Sequence, residues 1–410
     1  MKLLVISSVA HPQIVYEVDA LRQTWDLDFL VEESISMLTV LRQCFRPFLK
    51  RLPLVLLSLA RLRIVPFHFN YFLYAQQAAR IIDSTITRQL RYDAIYSHWL
   101  FPAGFIGLIV GRALGARVIS TVWGYDIQTV RGQQSYGIAN SRDAAFSRQI
   151  MRASDVVVVN NASHEFTATR LIGADLSYKI VHLPPALPDL SQLIADSAAK
   201  RFRDKLGIPA KARIILYSPS LRPHYGITEF VDAAPLVSRE VPDAFFVVLG
   251  EGELKTIAIE GVKRMQLTDR FLFLGKLPHE AVLLLYTCSE IVCDLSYAGH
   301  GTTTLEAICF GKAVIAIDST KRIVEHGKNG FVVPRGDAHA LAKQIVRILR
   351  DTKLRRAIGE NARVSFELKY AMASRVQSIT ALLRSSPQNE TLRSRKQYGW
   401  TSIVKSGKAE

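Results

Sequence analysis

The sequence predicts an α/β protein made of two doubly wound domains, each with a parallel sheet. Three observations carry that expectation. The chain has 410 residues, more than one ordinary core accommodates. Its clearest strand-like runs are apolar throughout rather than alternating, as suits strands buried on both faces of a parallel sheet. Helical patterns lie between most of these runs, so the βαβ rhythm is present, and it occurs twice along the chain.

In the first half the strands read "KLLVIS" (2–7), "DAIYSH" (93–98), "RVISTV" (117–122) and "DVVVVN" (155–160). The break follows at "HLPPALPDLSQLIADSAAKRFRDKLGIPAKA" (182–212), where Pro184, Pro185 and Pro188 stop regular structure and a polar stretch follows. Residues 1–185 therefore form a first domain and 186–370 a second. The second half carries "RIILYS" (213–218), "AFFVVLG" (244–250), "RFLFLG" (270–275), "EIVCDLS" (290–296) and "AVIAID" (313–318). A helix over 371–386 is expected to cross back to the first domain. The tail 387–410 is polar and basic with few large apolar residues, and is expected to be disordered. Two such halves place a cleft between the carboxyl ends of their sheets, where loops and helix N-termini converge on a ligand.

The formal charge of +16 leaves three classes of partner: nucleic acid, an anionic membrane, or a phosphate-rich substrate. No RNP, KH, zinc-finger or basic-zipper pattern is present, and aromatic residues are not interleaved with basic ones, so nucleic acid is set aside. No stretch reaches the roughly 20 apolar residues of a membrane span. The opening "MKLLVISSVAHP" is too short in its apolar run for a signal peptide, and His11 interrupts it. Cys44, Cys288, Cys293 and Cys309 form no CxxC pair and have no histidine cluster beside them. They read as reduced thiols of a cytosolic protein without a zinc site.

Residues 39–75 carry Arg42, Arg46, Lys50, Arg51, Arg61 and Arg63 with no acidic residue, among many leucines and aromatics. Pro47 and Pro53 are expected to prevent one continuous helix. Short helical pieces with cations flanking an apolar face suit an anionic membrane surface, and the bland alternative is a helical hairpin covering the first sheet.

The stretch "SYAGHGTTTLEAICFGKAVIA" (296–316) reads as strand end, glycine-rich loop, helix, turn and strand. Gly299 and Gly301 allow close approach of a ligand, and the helix opening at Thr302–Thr304 presents free N–H groups to an anion. Thr303 and Glu306 also have capping-box spacing, so Glu306 is either a ligand-binding carboxylate or a helix cap.

"GTTTLEAICFGKAVIAID" followed by "HGKNGFVVPRGDAHALAKQI" resembles the donor-binding end of the family-four (group 1) glycosyltransferases, which have the GT-B fold: two Rossmann-like domains facing a cleft. The likeness extends through "FFVVLGEGEL", "FLFLGKLPHEAVLLLYTCSEIVCDLS" and "SPSLRPHYGITEFVDAA", and more weakly through "DAIYSHWLFPAGFIG" and "VISTVWGYD", covering roughly residues 1–384. It implies a retaining transferase that moves a sugar from a nucleotide diphosphate sugar to a glycan acceptor. A lipid-linked or membrane-anchored acceptor would follow from the basic segment, with the protein cytoplasmic and peripheral at the inner membrane face. The nucleotide would sit in the second domain and the acceptor in the first. Glu306 matches the glutamate that grips the ribose hydroxyls. Gly299, His300, Gly301, Thr302, Thr303, Gly250, Arg222, Tyr225 and Lys276 complete the donor side. His98 and Asp126 are the catalytic candidates, with Trp123 as a stacking surface or core residue beside them. His98 would touch the sugar or acceptor, or be satisfied by backbone; Asp126 would orient the acceptor hydroxyl, or cap the next segment. No DxD pair lies at a plausible strand end, so no essential metal and no cofactor are expected beyond the nucleotide sugar itself.

The sequence departs from the family pattern at several positions. Ala298 stands where a second glutamate is usual, eight residues before Glu306. Ser220 and Tyr225 align with the diphosphate-binding Arg and Lys, leaving Arg222 and Lys276 to take that role. Trp123 replaces the histidine of the His-Gly-x-Asp turn, and Pro185–Ala186 replaces the hinge Asn-Gly. These changes fit either a divergent enzyme or a non-catalytic nucleotide-sugar-binding scaffold that has lost its chemistry; a nucleotide-sugar epimerase on the same fold is a separate alternative.

Overall fold

The structure is a computed structural model and describes residues 1–31, 37–62, 69–124, 126–127, 141–296, 301–317 and 323–384. The chain divides into two units, Met1–Pro185 with the chain from Arg375 onward, and Ala186–Ser374. The tail 387–410 lies outside the described residues.

In the first unit the elements follow as β1 (Lys2–Ser7), α1 (Pro12–Arg22), β2 (Asp26–Val31), α2 (Met37–Leu62), α3 (Phe69–Thr87) and β3 (Ala94–His98), then α4 (Phe105–Leu114), β4 (Arg117–Val122), α5 (Ser141–Ala153), β5 (Val156–Val159), α6 (Ala162–Ile172) and β6 (Ile180–His182). The second unit contains α7 (Asp196–Lys205), β7 (Arg213–Tyr217), α8 (Ile227–Glu240), β8 (Ala244–Leu249), α9 (Lys255–Arg264), β9 (Phe271–Gly275) and α10 (His279–Cys288). It continues through β10 (Ile291–Asp294), α11 (Thr302–Cys309), β11 (Ala313–Ile317), β12 (Gly330–Val333), α12 (Ala338–Arg350) and α13 (Thr352–Ser365). The helix α14 (Met372–Arg384) follows, with Arg375 onward belonging to the first unit.

Each unit is a six-stranded sheet, ordered β2-β1-β3-β4-β5-β6 and β12-β11-β10-β7-β8-β9, with every strand pair parallel. The central strands are buried on both faces, which is why they read as continuous apolar runs: Leu3–Ile6 and Val156–Val159 are all inaccessible to solvent. Three strands have no such signature. β2, β6 and β12 are sheet edges; β2 and β6 are only half-buried along their length, and β12 has four residues.

The order also locates the switch points. In the first sheet the chain runs outward from β1 to β2, then returns to place β3 on the other side of β1. In the second it runs β7, β8, β9 before β10 is laid beside β7. Ligands of open α/β sheets bind outside the carboxyl ends of the strands at such points.

One sequence expectation fails in the first unit. The α2 helix is continuous over 26 residues and carries Pro47 and Pro53 within it. A proline inside a helix loses a backbone hydrogen bond and costs about 3 kcal/mol. Burial of Phe48, Val55 and Leu59 offsets that loss. Acidic Asp83, which lies in α3 beyond the basic segment, pairs with Lys50 at 3.1 Å and Arg51 at 2.9 Å. Phe48, Val55 and Leu59 of α2 share one core with Ala75, Ala78 and Ala79 of α3, and two of the segment's cations are paired; residues 63–68 between the helices lie outside the described residues.

Candidate active site

In the second unit the residues at the β7/β10 switch point are built around three buried side chains. The Tyr217 hydroxyl, at the end of β7, has its single proton shared between the carbonyls of Tyr225 (2.8 Å) and Ser220 (3.2 Å), folding the loop 218–226 over the strand end. Arg222 is exposed on that loop. Gly226 has φ 76°, and a Cβ there would come within 2.4 Å of Leu295 Cβ, so only glycine lets this loop rest on the exit of β10 before α8 begins. Gly250 serves packing in a similar way: a Cβ would approach the Pro219 carbonyl to 2.7 Å. Lys276 is exposed just after β9.

Asp294 is the second buried group. Its Oδ1 accepts from the Ser296 amide (3.2 Å) and hydroxyl, and its Oδ2 from Thr304 Oγ1 at 2.6 Å. One carboxylate therefore ties both flanks of the glycine-rich loop. Gly299 and His300 of that loop lie outside the described residues, as does Ala298. Gly301 (φ 72°) precedes α11 and supplies no side-chain cap, so the N–H groups of the half-buried Thr302 and Thr303 begin the helix.

That register removes the cap reading of Glu306. A capping box needs Thr303 outside the helix, but α11 starts at Thr302 and Glu306 lies in its second turn. Glu306 is 7% exposed. Its Oε1 lies 2.8 Å from His279 Nε2, and its Oε2 accepts from the Tyr286 hydroxyl at 3.0 Å. The Tyr286 hydroxyl also lies 3.3 Å from Ser218 Oγ on the β7 side. The hydrogen bond to Glu306 raises the His279 pKa above its ordinary value, against the opposing effect of burial. Burial first, then the Glu306 charge, pushes Tyr286 well above 10, so it stays a donor. Sequence reasoning missed Asp294, His279, Tyr286 and Tyr217. His279 was visible in "LPHE", but nothing in its spacing connects it to a carboxylate 27 residues on.

In the first unit the exits of β3 and β4 gather an aromatic and histidine cluster. His98 ends β3 and is fully buried, and neither ring nitrogen has a hydrogen-bond partner among the described residues. The backbone-satisfied reading of His98 therefore does not hold. Its ring centroid lies 4.5 Å from Tyr96 and 5.9 Å from Trp123. Trp123 in turn stacks on Trp99 at 6.0 Å and meets His11 at 5.7 Å. Trp99 holds φ 78°, a left-handed backbone that bulky residues rarely adopt. Burial lowers the His98 pKa to about 4, and His164 beside Gly124 is also lowered to about 4 by burial. Both rings are neutral at pH 7.

Asp126 organises this cluster through backbone. Its carboxylate accepts from the amides of Leu100 (3.1 Å), Trp123 (3.1 Å) and Gly124 (2.9 Å), tying the loop after β3 to the loop after β4. Burial raises its pKa to about 6 even though those three amides and its own pull it down. Among the described residues no group of three or more His, Cys, Asp or Glu side chains converges as a metal site. No helix among them is long and apolar enough to cross a membrane. On α2, Leu49, Leu56 and Leu57 are exposed beside Arg46 and Lys50, and Phe72 of α3 is exposed as well.

Each unit is thus a Rossmann-like α/β domain with a parallel six-stranded sheet, and the second carries a helix N-terminus and a buried carboxylate at its switch point. The family model for glycosyl transferases group 1 matches residues 198–365, and that for the glycosyl transferase 4-like domain matches residues 38–209. The chain belongs to the group 1 glycosyltransferases of GT-B fold. It is 25% identical over 292 residues to the N-acetyl-alpha-D-glucosaminyl L-malate synthase of Bacillus anthracis, a match spanning 68% of this chain and 71% of that protein. It is 26% identical over 195 residues to the alpha-D-kanosaminyltransferase of Streptomyces kanamyceticus, spanning 46% of this chain and half of that one. Among solved structures, the Anabaena protein HepE in complex with UDP and glucose superposes with a TM-score of 0.69 at 18% identity, covering 94% of this chain and 100% of that one. The sucrose-phosphate synthase of Thermosynechococcus elongatus gives 0.68 at 18% identity, covering 94% and 98%.

Proposed function

We propose that the protein is a retaining glycosyltransferase that takes a hexose-type sugar from a nucleoside diphosphate sugar held by the second unit. It delivers that sugar to a glycan hydroxyl held by the first. The observation that carries this reading is Glu306: a buried carboxylate in the second turn of a helix that opens at the β7/β10 switch point, with hydrogen bonds to side chains and, among the described residues, none to its own helix N-terminus. A carboxylate so placed suits the two hydroxyls of a ribose, while the N-terminal end of α11 suits the diphosphate. Arg222 and Lys276 supply positive charge from exposed positions after β7 and β9. In the first unit, neutral His98, whose nitrogens have no partner among the described residues, is the group suited to hydrogen-bond a sugar hydroxyl, and Asp126 ties the loop that follows His98 to the one that carries Trp123. Retention of anomeric configuration, metal-independent transfer and a nucleoside diphosphate donor are also the expectation from the family.

The acceptor is best read as lipid-linked or membrane-anchored. The α2 face combines exposed leucines with basic residues, and the chain carries an excess of sixteen positive charges, which suits reversible attachment to an anionic leaflet. A screen of nucleotide sugars by thermal shift, followed by turnover with and without glycan acceptors, tests the assignment. Acceptor-dependent transfer supports it. Donor binding without turnover would favour a nucleotide-sugar-binding scaffold, and donor turnover without any acceptor would favour an epimerase.

A further inference from the structure

A carboxylate has about four acceptor positions, two on each oxygen. In Glu306 one position on Oε1 faces His279 Nε2 at 2.8 Å, and one on Oε2 takes the Tyr286 hydroxyl at 3.0 Å. Among the described residues nothing else bonds to it, so one position remains on each oxygen. A vicinal diol brings two hydroxyl donors, and the number and division of the remaining acceptors match it.

We propose that His279 is a positioning residue of the donor site: with Tyr286 it holds Glu306 in the one orientation that presents a vacant lone pair from each oxygen to the two ribose hydroxyls of a ribonucleotide. This rests on the reading of Glu306 as a ribose ligand and adds how the ligand is kept in place. The two supports differ in kind. Tyr286 is fully buried and bonded onward to Ser218, so it fixes the inner oxygen to the β7 side of the sheet. His279 is the first residue of α10 and its side chain is 40% exposed against 10% for Glu306, so it fixes the outer oxygen from the solvent side. The bond is charge-assisted, because the carboxylate favours the protonated ring. A glutamate left free would sample several rotamers, and only some of them serve the diol; holding it in advance removes that cost from binding. The competing account is that the pair merely ties α10 to α11.

The two accounts separate on discrimination between ribose and 2′-deoxyribose. Dissociation constants are measured by calorimetry for UDP, GDP and ADP and their 2′-deoxy counterparts. The proteins are the parent chain, His279→Ala, His279→Gln, Glu306→Gln and the double variant His279→Ala/Glu306→Gln. The parent should bind its preferred ribonucleotide roughly tenfold or more tighter than the 2′-deoxy form. His279→Ala should bring that ratio close to one by weakening the ribonucleotide alone. His279→Gln, which keeps an N–H donor, should restore part of it. In the Glu306→Gln background the His279→Ala change should add nothing. If Glu306→Gln collapses the ratio and His279→Ala leaves it intact, the positioning role is wrong and the ribose reading stands. If Glu306→Gln leaves the ratio intact, or the parent binds none of the three ribonucleotides, the ribose reading falls and the inference falls with it.

Discussion

Arg375 and Glu17, 358 residues apart in the chain, meet at 2.8 Å with side-chain exposures of 4% and 2%. Arg375 also donates to the carbonyls of Leu183 (2.9 Å) and Pro184 (2.8 Å), and Glu17 accepts from the Tyr96 hydroxyl at 2.7 Å. The start of α14 is thereby fastened into the first unit through Glu17 to Tyr96, which lies on β3 two positions before His98.

Removing one partner of such a pair leaves a buried charge alone, which costs about 3–5 kcal/mol. Arg375→Ala should lower the stability of the first unit by that amount in denaturant titrations followed by tryptophan fluorescence. The double variant Glu17→Leu/Arg375→Met should recover most of the loss. A change below about 1 kcal/mol in Arg375→Ala would mean the pair is not a fastening.

Acid should weaken the first unit. His98 and His164 have folded pKa values of about 4, below the 6.5 of the unfolded chain. Each therefore contributes stability that is complete above about pH 6.5 and is lost as pH falls towards 4, about 3 kcal/mol per residue. Asp126 acts oppositely: its folded pKa of about 6 lies above the ordinary 3.8, so its contribution is present below about pH 4 and lost as pH rises through 6. Two histidines outweigh one aspartate of similar magnitude. The melting temperature should drop between pH 7 and pH 5, less steeply in His164→Asn and more steeply in Asp126→Asn. A parent curve that is flat, or slopes unchanged by both substitutions, would contradict these assignments.

The membrane reading makes a separate claim about α2. Leu56→Ser/Leu57→Ser should cut partition into vesicles containing anionic lipid, since each buried leucine is worth about 1.5–3 kcal/mol. Arg42, Arg46, Lys50 and Arg51 replaced together by glutamine should do so most visibly at low salt, at about 1 kcal/mol per charge. Because Lys50 and Arg51 already pair with Asp83, the effect should be smaller than four independent charges would give. Nucleotide binding should be unaffected. Unchanged vesicle partition in both variants would leave only the hairpin.

Arg222→Ala should weaken nucleoside diphosphate binding roughly tenfold and leave the free nucleoside unchanged, because the lost interaction is a charge-assisted bond to phosphate. If the diphosphate binds as before, Lys276 is the next cation to replace.

Much of this fold was legible because parallel strands buried on both faces leave an unmistakable apolar run, and nine such runs were visible. The edges β2, β6 and β12 were not, because a half-buried or four-residue strand carries too little pattern to stand out. The helix at Thr302 was readable from local spacing, as was His98 at a strand end, while residues 297–300 of the glycine-rich loop lie outside the described residues. Local spacing misled at Thr303 and Glu306, where a capping-box pattern lies wholly inside the helix. It misled again at Pro47 and Pro53, where packing outweighs the backbone penalty. Asp294, Tyr286 and His279 were unreadable for one shared reason: each meets its partner only after the sheet has brought distant loops together, as with Thr304 and Glu306.

The central claim is that Glu306 binds nucleotide and does not cap its helix, and Glu306→Gln tests it most directly. The substitution keeps the shape and removes the charge and one acceptor oxygen. Measured side by side, nucleoside diphosphate affinity should fall roughly ten- to a hundredfold, the loss of about 1.5–3 kcal/mol expected for a charge-assisted bond, while the melting temperature stays close to the parent. An unchanged affinity with a lowered melting temperature would contradict the account and place the donor site elsewhere.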